Sequence, residues 1–384
     1  MNNFVYQNPV KIVFGKGTIK ELSGLVPCGA RVLVTYGGGS IKRNRIYDQV
    51  MGALKDCRVF EFGGIEANPR YETCMKAVEL VKGEKVDFLL AVGGGSVIDG
   101  TKFIAAAARY GAGDPWDILA RNARVEDAVP LGTVLTLPAT GSEMNCLAVV
   151  SRASTQEKLH FGSPHVYPRF SILDPETTYS LPRRQLVNGL VDTFVHVMEQ
   201  YATYNMSTPL QDRQAMAIIE TIVEIAPRVL SDRMDYEARA SFMWCTTQAL
   251  NGLVSCGVVA DWATHMIGHE LTAFFGIDHG QSLAIVLPGV WKHQIFNKAE
   301  RLSRYGRIVW GLSGTERLET ARTAIKKTDA FFRSLGVKTR LGDYSIGEDG
   351  IEMVVKRFNE RGTALGELGN IKGKEVGEIL RLRL

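Results

Sequence analysis

The strongest constraint on the fold is a repeated rhythm in the first part of the chain. Short apolar or β-branched runs each stop at a group of glycines, and a helical pattern follows. The runs are Arg31–Tyr36, Arg58–Phe62 and Phe88–Val92, and the glycines after them are Gly37–Gly39, Gly63–Gly64 and Gly93–Gly95. Alternation of strands and helices predicts a parallel sheet covered by helices on both faces, and fully apolar strands fit burial on both sides.

The texture of the sequence changes after Leu181 and Pro182. Helical periodicity dominates from Arg183 onward, for example over residues 212–230, 236–253 and 315–335. The sequence therefore predicts a dinucleotide-binding, Rossmann-like α/β domain over residues 1–181 and an all-helical domain over residues 182–384. The opening stretch, residues 4–14, is typical of a hairpin or an edge strand.

Composition narrows the range of functions. The chain has 384 residues, enough for two domains, and a net charge of only +4 (45 basic minus 41 acidic side chains), which indicates neither nucleic acid nor an acidic membrane as a partner. No apolar run is long enough to span a bilayer, and the first residues show no signal-peptide pattern. The six cysteines form no CxxC pair. A cytoplasmic protein acting on a small molecule is expected.

Two glycine loops could hold a phosphate. They are Gly37–Ser40 after the first strand and Gly93–Asp99 after the strand at Phe88. Glycines permit close backbone approach, and the N-terminus of the following helix favours an anion. A tight strand-to-helix turn would explain either loop alone. Two loops at the ends of separate strands favour a ligand, although neither loop is the GxGxxG sequence of an ordinary dinucleotide fold.

The first loop also indicates which dinucleotide binds. An acidic residue after this strand would accept a hydrogen bond from the ribose and repel a 2′-phosphate. The chain instead has Ser40, Lys42 and Arg43 there. A hydroxyl and two cations suit a phosphate, so the sequence predicts NADP(H) over NAD(H). The alternative is that Lys42 and Arg43 only form a solvated helix start.

A cluster of potential metal donors lies in the helical half. Four of the seven histidines fall between Asp192 and His279. Asp192 and His196 are four residues apart, as are His265 and His269, so each pair shares one helix face. A carboxylate and several imidazoles on facing helices could bind a transition metal, whereas a single such pair is usually structural. Spacing alone does not choose between His265 and His269 as ligands.

These motifs together resemble those of the iron-containing (group III) alcohol dehydrogenases. Within that family they are most similar to the NADPH-dependent aldehyde reductases and butanol dehydrogenases. The resemblance covers nearly the whole chain. The segments that carry it are Tyr36–Ser40, Glu61–Glu66, Ala91–Ser96, Leu137–Glu143, Asn188–Asp192 and Asp261–Leu271.

The resemblance implies specific site residues. It implies one divalent metal, Fe²⁺ or Zn²⁺, held by Asp192, His196, His265 and His279, with His269 as a nearby histidine that does not bind the metal. It implies a homodimer, for which residues 4–14 offer a pairing edge. The residues it places at the cofactor are Gly38, Gly39, Ser40, Asn68, Gly94, Gly95, Ser96, Asp99, Thr136, Thr140 and Lys158.

The implied activity is hydride transfer between NADP(H) and a short-to-medium aldehyde or primary alcohol of the butanal and butanol type. His269 is the candidate catalytic residue, because an imidazole can relay a proton near neutral pH. The alternative for His269 is simple packing. Asp278 replaces the proline of many family members before the last ligand, and either orients an imidazole or caps a turn. The alternative functions are a glycerol dehydrogenase and a dehydroquinate synthase-like lyase.

Overall fold

The computed structural model describes residues 1–384, which form two compact units. One unit comprises residues 7–182 and 233–251 and contains all the strands. The strands are β1 (Lys11–Phe14), β2 (Arg31–Thr35), β3 (Arg58–Phe62), β4 (Phe88–Gly94), β5 (Leu131–Leu137), β6 (Leu147–Arg152), β7 (Glu157–Gly162) and β8 (Phe170–Leu173). Six of them form a parallel sheet in the order β1-β8-β5-β4-β2-β3, and β6 and β7 form a separate antiparallel pair.

Helices cover both faces of the sheet, as predicted. Along β4, Leu89 and Ala91 face one apolar cluster while Leu90 and Val92 face another, because successive side chains of a strand alternate between faces. The helices are α1 (Leu22–Leu25), α2 (Ser40–Arg43), α3 (Ile46–Ala53), α4 (Tyr71–Gly83), α5 (Gly95–Arg109) and α6 (Asp117–Ala120), with 3₁₀ turns at Thr18–Glu21, Ser142–Met144, Pro164–Val166 and Pro175–Thr178. α4 and α5 pack into the first cluster, and α1 and α3 pack into the second.

The other unit comprises residues 1–6, 183–232 and 252–384 and is built of helices. The helices that follow in the chain are α7 (Arg183–Tyr201), α8 (Pro209–Val229), α9 (Tyr236–Ala249), α10 (Ala263–Phe275), α11 (His279–His293), α12 (Ile295–Trp310), α13 (Arg317–Ser334), α14 (Glu348–Arg361) and α15 (Gly373–Arg381), with a 3₁₀ turn at Gly342–Tyr344. All except α9 belong to this helical unit. The predicted fold class, a parallel α/β domain plus an all-helical domain, is confirmed.

Two segments belong to the other unit than the one expected from a domain boundary after residue 181. Residues 1–6 join the helical unit, where the Asn2 amide donates to the Gly257 carbonyl at 3.0 Å. α9 joins the α/β unit, where Arg239 donates to the Thr178 carbonyl at 2.9 Å and Thr247 donates to Glu143 at 2.6 Å. Helical periodicity predicts a helix but not the core against which it packs.

The opening stretch forms a shorter element than residues 4–14 suggested. Only Lys11–Phe14 is extended, and it pairs in parallel with β8 at the edge of the sheet. The edge-strand alternative is therefore correct and the hairpin alternative is wrong.

No helix combines the length and apolar character needed to cross a bilayer.

Candidate active site

One face of α7 carries three polar side chains in an otherwise apolar environment. Asp192, His196 and Glu199 follow one another at spacings of four and three residues, which places them on one side of the helix. All three are buried, with Asp192 2% exposed and Glu199 1% exposed. Burying two carboxylates is costly unless they are paired or bind a cation, so this face requires a partner.

α10 and α11 supply the other imidazoles. Ala263, Ile267 and Leu271 of α10 pack into the apolar cluster of the helical unit. His265 and His269 are offset from these positions by two residues and therefore lie on the opposite face of α10. His279 is the first residue of α11.

The donor atoms converge on one carboxylate oxygen. Asp192 Oδ1 lies 3.3 Å from His196 Nδ1, 3.5 Å from His265 Nε2 and 3.7 Å from His279 Nε2. The ligand atoms of Asp192, His265 and His279 all lie within 4.8 Å of one another. The structure thus brings the four residues of the implied ligand set together, while the compact three-residue group omits His196.

The donor set fits a divalent transition metal. Asp192 Oδ1, His196 Nδ1 and His265 Nε2 are buried atoms without a hydrogen-bond partner, which is rare unless something else satisfies them. One carboxylate and three imidazoles are ligands suited to Zn²⁺ or Fe²⁺. Burial lowers the pKa of His196 to about 4, so this ring stays neutral and keeps a lone pair for a metal.

Glu199 is a site residue that the sequence analysis missed. Its Oε2 accepts from Nδ1 of His265, and its Oε1 accepts from the backbone amide of Thr264 at 2.7 Å. A carboxylate behind a histidine fixes the tautomer that leaves Nε2 free, an arrangement common around protein-bound metals. The signal was available, because Glu199 lies two helical turns after Asp192 on the same face.

The Asp278 side chain is bound by α7, and an orienting role toward an imidazole stays a prediction. Its carboxylate accepts two bonds from Arg184, at 2.5 and 2.6 Å, and one from Asn188 at 2.8 Å. It makes no side-chain cap on α11. The side chain instead joins the start of α11 to α7, next to His279.

Gly280 adds a second connection between the same helices. A Cβ at this position would lie 2.6 Å from the carbonyl oxygen of Asn188 and 2.8 Å from its Cα. Both atoms are backbone and cannot move aside without shifting α7. Only glycine therefore allows α11 to approach α7 this closely, and this approach places His279 beside Asp192.

His269 lies close to the cluster but outside the ligand group. Its ring centre is 5.2 Å from that of His279 and 6.4 Å from that of His265. It is buried, at 6% exposure. The Trp262 ring also borders the cluster, 5.5 Å edge-on from His265. These neighbours make His269 a candidate to exchange a proton near the metal donors.

Of the two glycine loops, the turn between β4 and α5 has the clearer features of an anion-binding turn. α5 begins at Gly95 directly after β4, and no side chain caps its N-terminus. Its first amides therefore remain available to an anion, in a helix of 15 residues. A Cβ on Gly95 would lie 2.3 Å from Thr140 Oγ1, and a Cβ on Gly94 would lie 2.8 Å from the Leu137 side chain. Glycine is required at both positions, and pyrophosphate binding at this loop stays a prediction.

The other predicted cofactor residues lie on several elements of the same unit. The backbone amide of Asn68 donates to Ser96 Oγ at 3.2 Å. Thr136 lies on β5, and Lys158 lies on β7 and is buried. Asp99 is engaged by the protein itself, since its two oxygens accept from Ser142 Oγ at 2.6 Å and from the Val149 amide at 3.0 Å. A cofactor contact by Asp99 stays a prediction.

The loop after β2 contains Gly38, Gly39 and Ser40. Nothing lies within 4 Å of a Cβ built on Gly38 or Gly39, so the backbone faces open space there. Lys42 is not a free cation, because its Nζ lies 2.9 Å from Glu61 Oε2. The sequence predicts that Lys42 is available to a phosphate, whereas in the structure it forms an ion pair with Glu61.

A buried lysine, also missed from the sequence, fixes the segment after Thr140. Lys102 Nζ donates to the carbonyl oxygens of Ser142, Asn145 and Leu147 at 2.6 to 2.9 Å, and side-chain oxygens of Ser142 and Asn145 lie at 2.8 and 3.1 Å. Burial lowers its pKa to about 8. Nothing in the local sequence distinguishes Lys102 from a surface lysine on an Ala-rich helix.

Comparison with known proteins agrees with this arrangement. Residues 9–175 match the family model of iron-containing alcohol dehydrogenases, and residues 186–384 match the C-terminal model of the same family.

Individual relatives cover almost the entire chain. It is 52% identical over 370 residues to the NADPH-dependent aldehyde reductase YqhD of Escherichia coli, covering 96% of each chain. It is 45% identical over 393 residues to the probable NADH-dependent butanol dehydrogenase 2 of Bacillus subtilis, covering 100% of each. A crystal structure of E. coli YqhD superposes with a TM-score of 0.98 at 50% identity, covering 100% of this chain and 99% of that one. The chain therefore belongs to the iron-containing alcohol dehydrogenase family and is an oxidoreductase of its alcohol dehydrogenase and aldehyde reductase class.

Proposed function

We propose that this protein reduces short-to-medium aldehydes to primary alcohols with NADPH, using one Fe²⁺ or Zn²⁺ ion held by Asp192, His196, His265 and His279. The observation that carries the proposal is the buried Asp192 Oδ1, which has three imidazole nitrogens 3.3–3.7 Å away and no hydrogen-bond partner. Such a group is stable when a cation completes it.

The preference for NADPH rests on the loop after β2. No acidic residue occurs from Gly37 to Arg45, so nothing in this segment repels a 2′-phosphate. The relatives point in both directions, because the E. coli protein is named for NADPH and the B. subtilis protein for NADH. The higher identity to the E. coli protein and the composition of the loop favour NADPH.

The chain's own residues account for binding and proton transfer. When bound, the metal polarises the carbonyl of the substrate and stabilises the developing negative charge. Glu199 holds His265 in the tautomer whose Nε2 faces Asp192, and Gly280 sets the position of His279. His269, beside His279 and His265, supplies the proton that the reduced product needs, directly or through water.

We further propose a homodimer in the cytoplasm. β1 is an edge strand whose outer backbone groups are not paired within the six-stranded sheet, which suits pairing with a second copy. All six cysteines are free thiols, as expected in a reducing compartment. Sedimentation at micromolar concentration tests the dimer, and a monomer under those conditions contradicts it.

Oxidation of NADPH by butanal, followed at 340 nm before and after treatment with a chelator, tests the main proposal. We expect turnover that the chelator abolishes and that Fe²⁺ or Zn²⁺ restores. A protein that oxidises NADPH equally well after verified metal removal contradicts the metal's role.

Two further assays address the alternative functions. Glycerol with NAD⁺ tests a glycerol dehydrogenase, and metal-dependent conversion without net dinucleotide oxidation tests a dehydroquinate synthase-like lyase. Activity with either, in the absence of butanal reduction, refutes the proposed substrate class.

A further inference from the structure

Four side chains form a hydrogen-bonded group beside the loop after β2. We name Tyr36, Lys42, Tyr47 and Glu61 the Glu61 cluster. Glu61 Oε2 accepts from Lys42 Nζ at 2.9 Å and from Tyr36 Oη at 3.0 Å, and Oε1 accepts from Tyr47 Oη. Lys42 Nζ also lies over the rings of Tyr36 and Tyr47, 5.1 and 4.6 Å from their centres. All the strong interactions of the cluster converge on one carboxylate.

The strand order places this cluster near the adenosine ribose. A dinucleotide bound to a parallel sheet puts its pyrophosphate at the glycine turn of one strand and its ribose at the end of the neighbouring strand. Here the uncapped helix α5 follows β4, and β2 is the neighbour of β4, with β3 beyond it. Tyr36 and Lys42 follow β2, and Glu61 is the penultimate residue of β3. The 2′-position of the adenosine ribose therefore falls near the Glu61 cluster, at the carboxyl ends of β2 and β3.

The charges within the cluster cancel. Hydrogen bonds from Tyr47 and Lys42 lower the pKa of Glu61 despite its partial burial, so the carboxylate stays ionised at neutral pH. Lys42 stays protonated, since its contacts with Tyr36 and Glu61 raise its pKa. A phosphate arriving near Lys42 meets a cation already paired with a carboxylate, and the net attraction is smaller than the sequence of the loop suggests.

We infer that Glu61 is a specificity-determining residue that limits the preference for NADP(H) over NAD(H) by pairing with Lys42. This inference rests on the proposed function, because it assumes that a dinucleotide binds at these loops. The cofactor without the 2′-phosphate does not need Lys42 and is little affected by the pair. Glu61 thus keeps the two cofactors closer in affinity than Ser40, Lys42 and Arg43 alone would do.

Calorimetric titration with NADP⁺ and NAD⁺ separately, on the metal-loaded protein at low salt, tests the inference without measuring turnover. Glu61→Gln keeps the size of the side chain and removes its charge. We expect it to tighten NADP⁺ about three- to tenfold, the scale of one charge acting near the surface, while NAD⁺ changes less than twofold. The gain should shrink at 0.5 M salt, because the interaction is between exposed charges.

Two further variants make the result specific. Tyr47→Phe removes a hydrogen bond from the same carboxylate but leaves its charge, so both affinities should stay within twofold of the parent. Lys42→Met should weaken NADP⁺ and leave NAD⁺ unchanged.

Unchanged or weaker NADP⁺ binding by a folded Glu61→Gln protein overturns the inference. Parent protein that binds neither dinucleotide refutes the proposed function instead, so the two failures are distinct.

Discussion

His265 donates from Nδ1 to Glu199 and presents Nε2 to Asp192 Oδ1, 3.5 Å away. The histidine is thus held between two buried carboxylates, one that orients the ring and one that shares its metal-facing side. Burial opposes a charge on His265, but Glu199 and Asp192 outweigh that effect and raise its pKa to about 9. The surroundings of this ring therefore favour its protonated form, so a metal ion that binds Nε2 must displace a proton.

Replacement of Glu199 by glutamine should weaken metal binding about 10- to 100-fold, because the orienting carboxylate is lost while the ligands remain. Competition with a chromophoric chelator measures the affinity directly. The matched control is Glu378→Gln, which alters an exposed carboxylate paired with His293 at 2.9 Å. Equal metal affinity in the Glu199 variant and the parent contradicts the orienting role.

Loss of a donor should separate catalysis from dinucleotide binding. Asp192→Ala or His265→Ala removes charge stabilisation worth several kcal/mol, so turnover should fall by about a thousandfold or more. NADPH should still bind, since its predicted contacts all belong to the α/β unit. Steady-state turnover and calorimetric titration of NADPH measure the two effects. His293→Ala serves as the control, and a fully active His265→Ala protein refutes the metal site.

The role of His269 is tested by substitution and a pH profile. If His269 relays the proton, His269→Ala should lower turnover about 10²- to 10⁴-fold and change the shape of the profile, with metal content unaffected. A variant that keeps both its turnover and its profile shows that His269 only packs beside the donors.

Loss of the Asp278 contacts should lower metal affinity while leaving the stability of the fold almost unchanged. Arg184 is largely exposed, with 67% of its side chain accessible, so its ion pair adds at most about 1 kcal/mol to stability. Asp278→Asn should shift the melting temperature by only about 1–2 °C. It should nevertheless lower metal affinity, because the start of α11 is held less firmly. Melting curves and chelator competition, measured on one preparation, distinguish these effects, and unchanged metal affinity contradicts the prediction.

Acid should remove the contribution of one buried ion pair. Burial raises the pKa of Asp329, but its bond to Arg383 and the charge of Arg333 prevail and lower it. The carboxylate therefore stabilises the fold above the unfolded-state value of about 4, and this contribution disappears as the pH falls through the lower folded-state value. Asp329→Asn should lose up to about 3 kcal/mol at pH 7 in urea unfolding. The difference from the parent should shrink below pH 4, and a constant difference contradicts it.

Regular elements were predictable because their signals are local. The run Arg58–Phe62 and the helical period over residues 315–335 are such signals, and the structure has a strand at Arg58–Phe62 and a helix at Arg317–Ser334. Asp192, His196, His265 and His279 were placed through resemblance, and their convergence required the packing of three helices.

Other features depend on contacts far apart in the chain. The β6–β7 pair was not expected, because residues 147–162 carry no clear turn signal between two modest strands. Lys102 is buried where three carbonyl oxygens from a distant segment accept its hydrogen bonds. Lys42 forms an ion pair with Glu61 because β3 lies beside β2. Such pairings depend on tertiary packing, which periodicity and motif spacing do not encode.

Because residue 280 has no Cβ, it fixes the separation between α11 and α7, and with it the position of His279 relative to Asp192. Any side chain there must push α11 away from the Asn188 backbone, by on the order of half an ångström or more for alanine, because its Cβ would lie only 2.6 Å from the Asn188 carbonyl oxygen. His279 would move with its helix while Asp192 stayed on α7. Libraries that seek new substrates can therefore vary the aromatic residues near the donors, but should keep Gly280 fixed. Gly280→Ala thus tests how closely His279 must approach Asp192 for a metal to bind, without altering a single ligand.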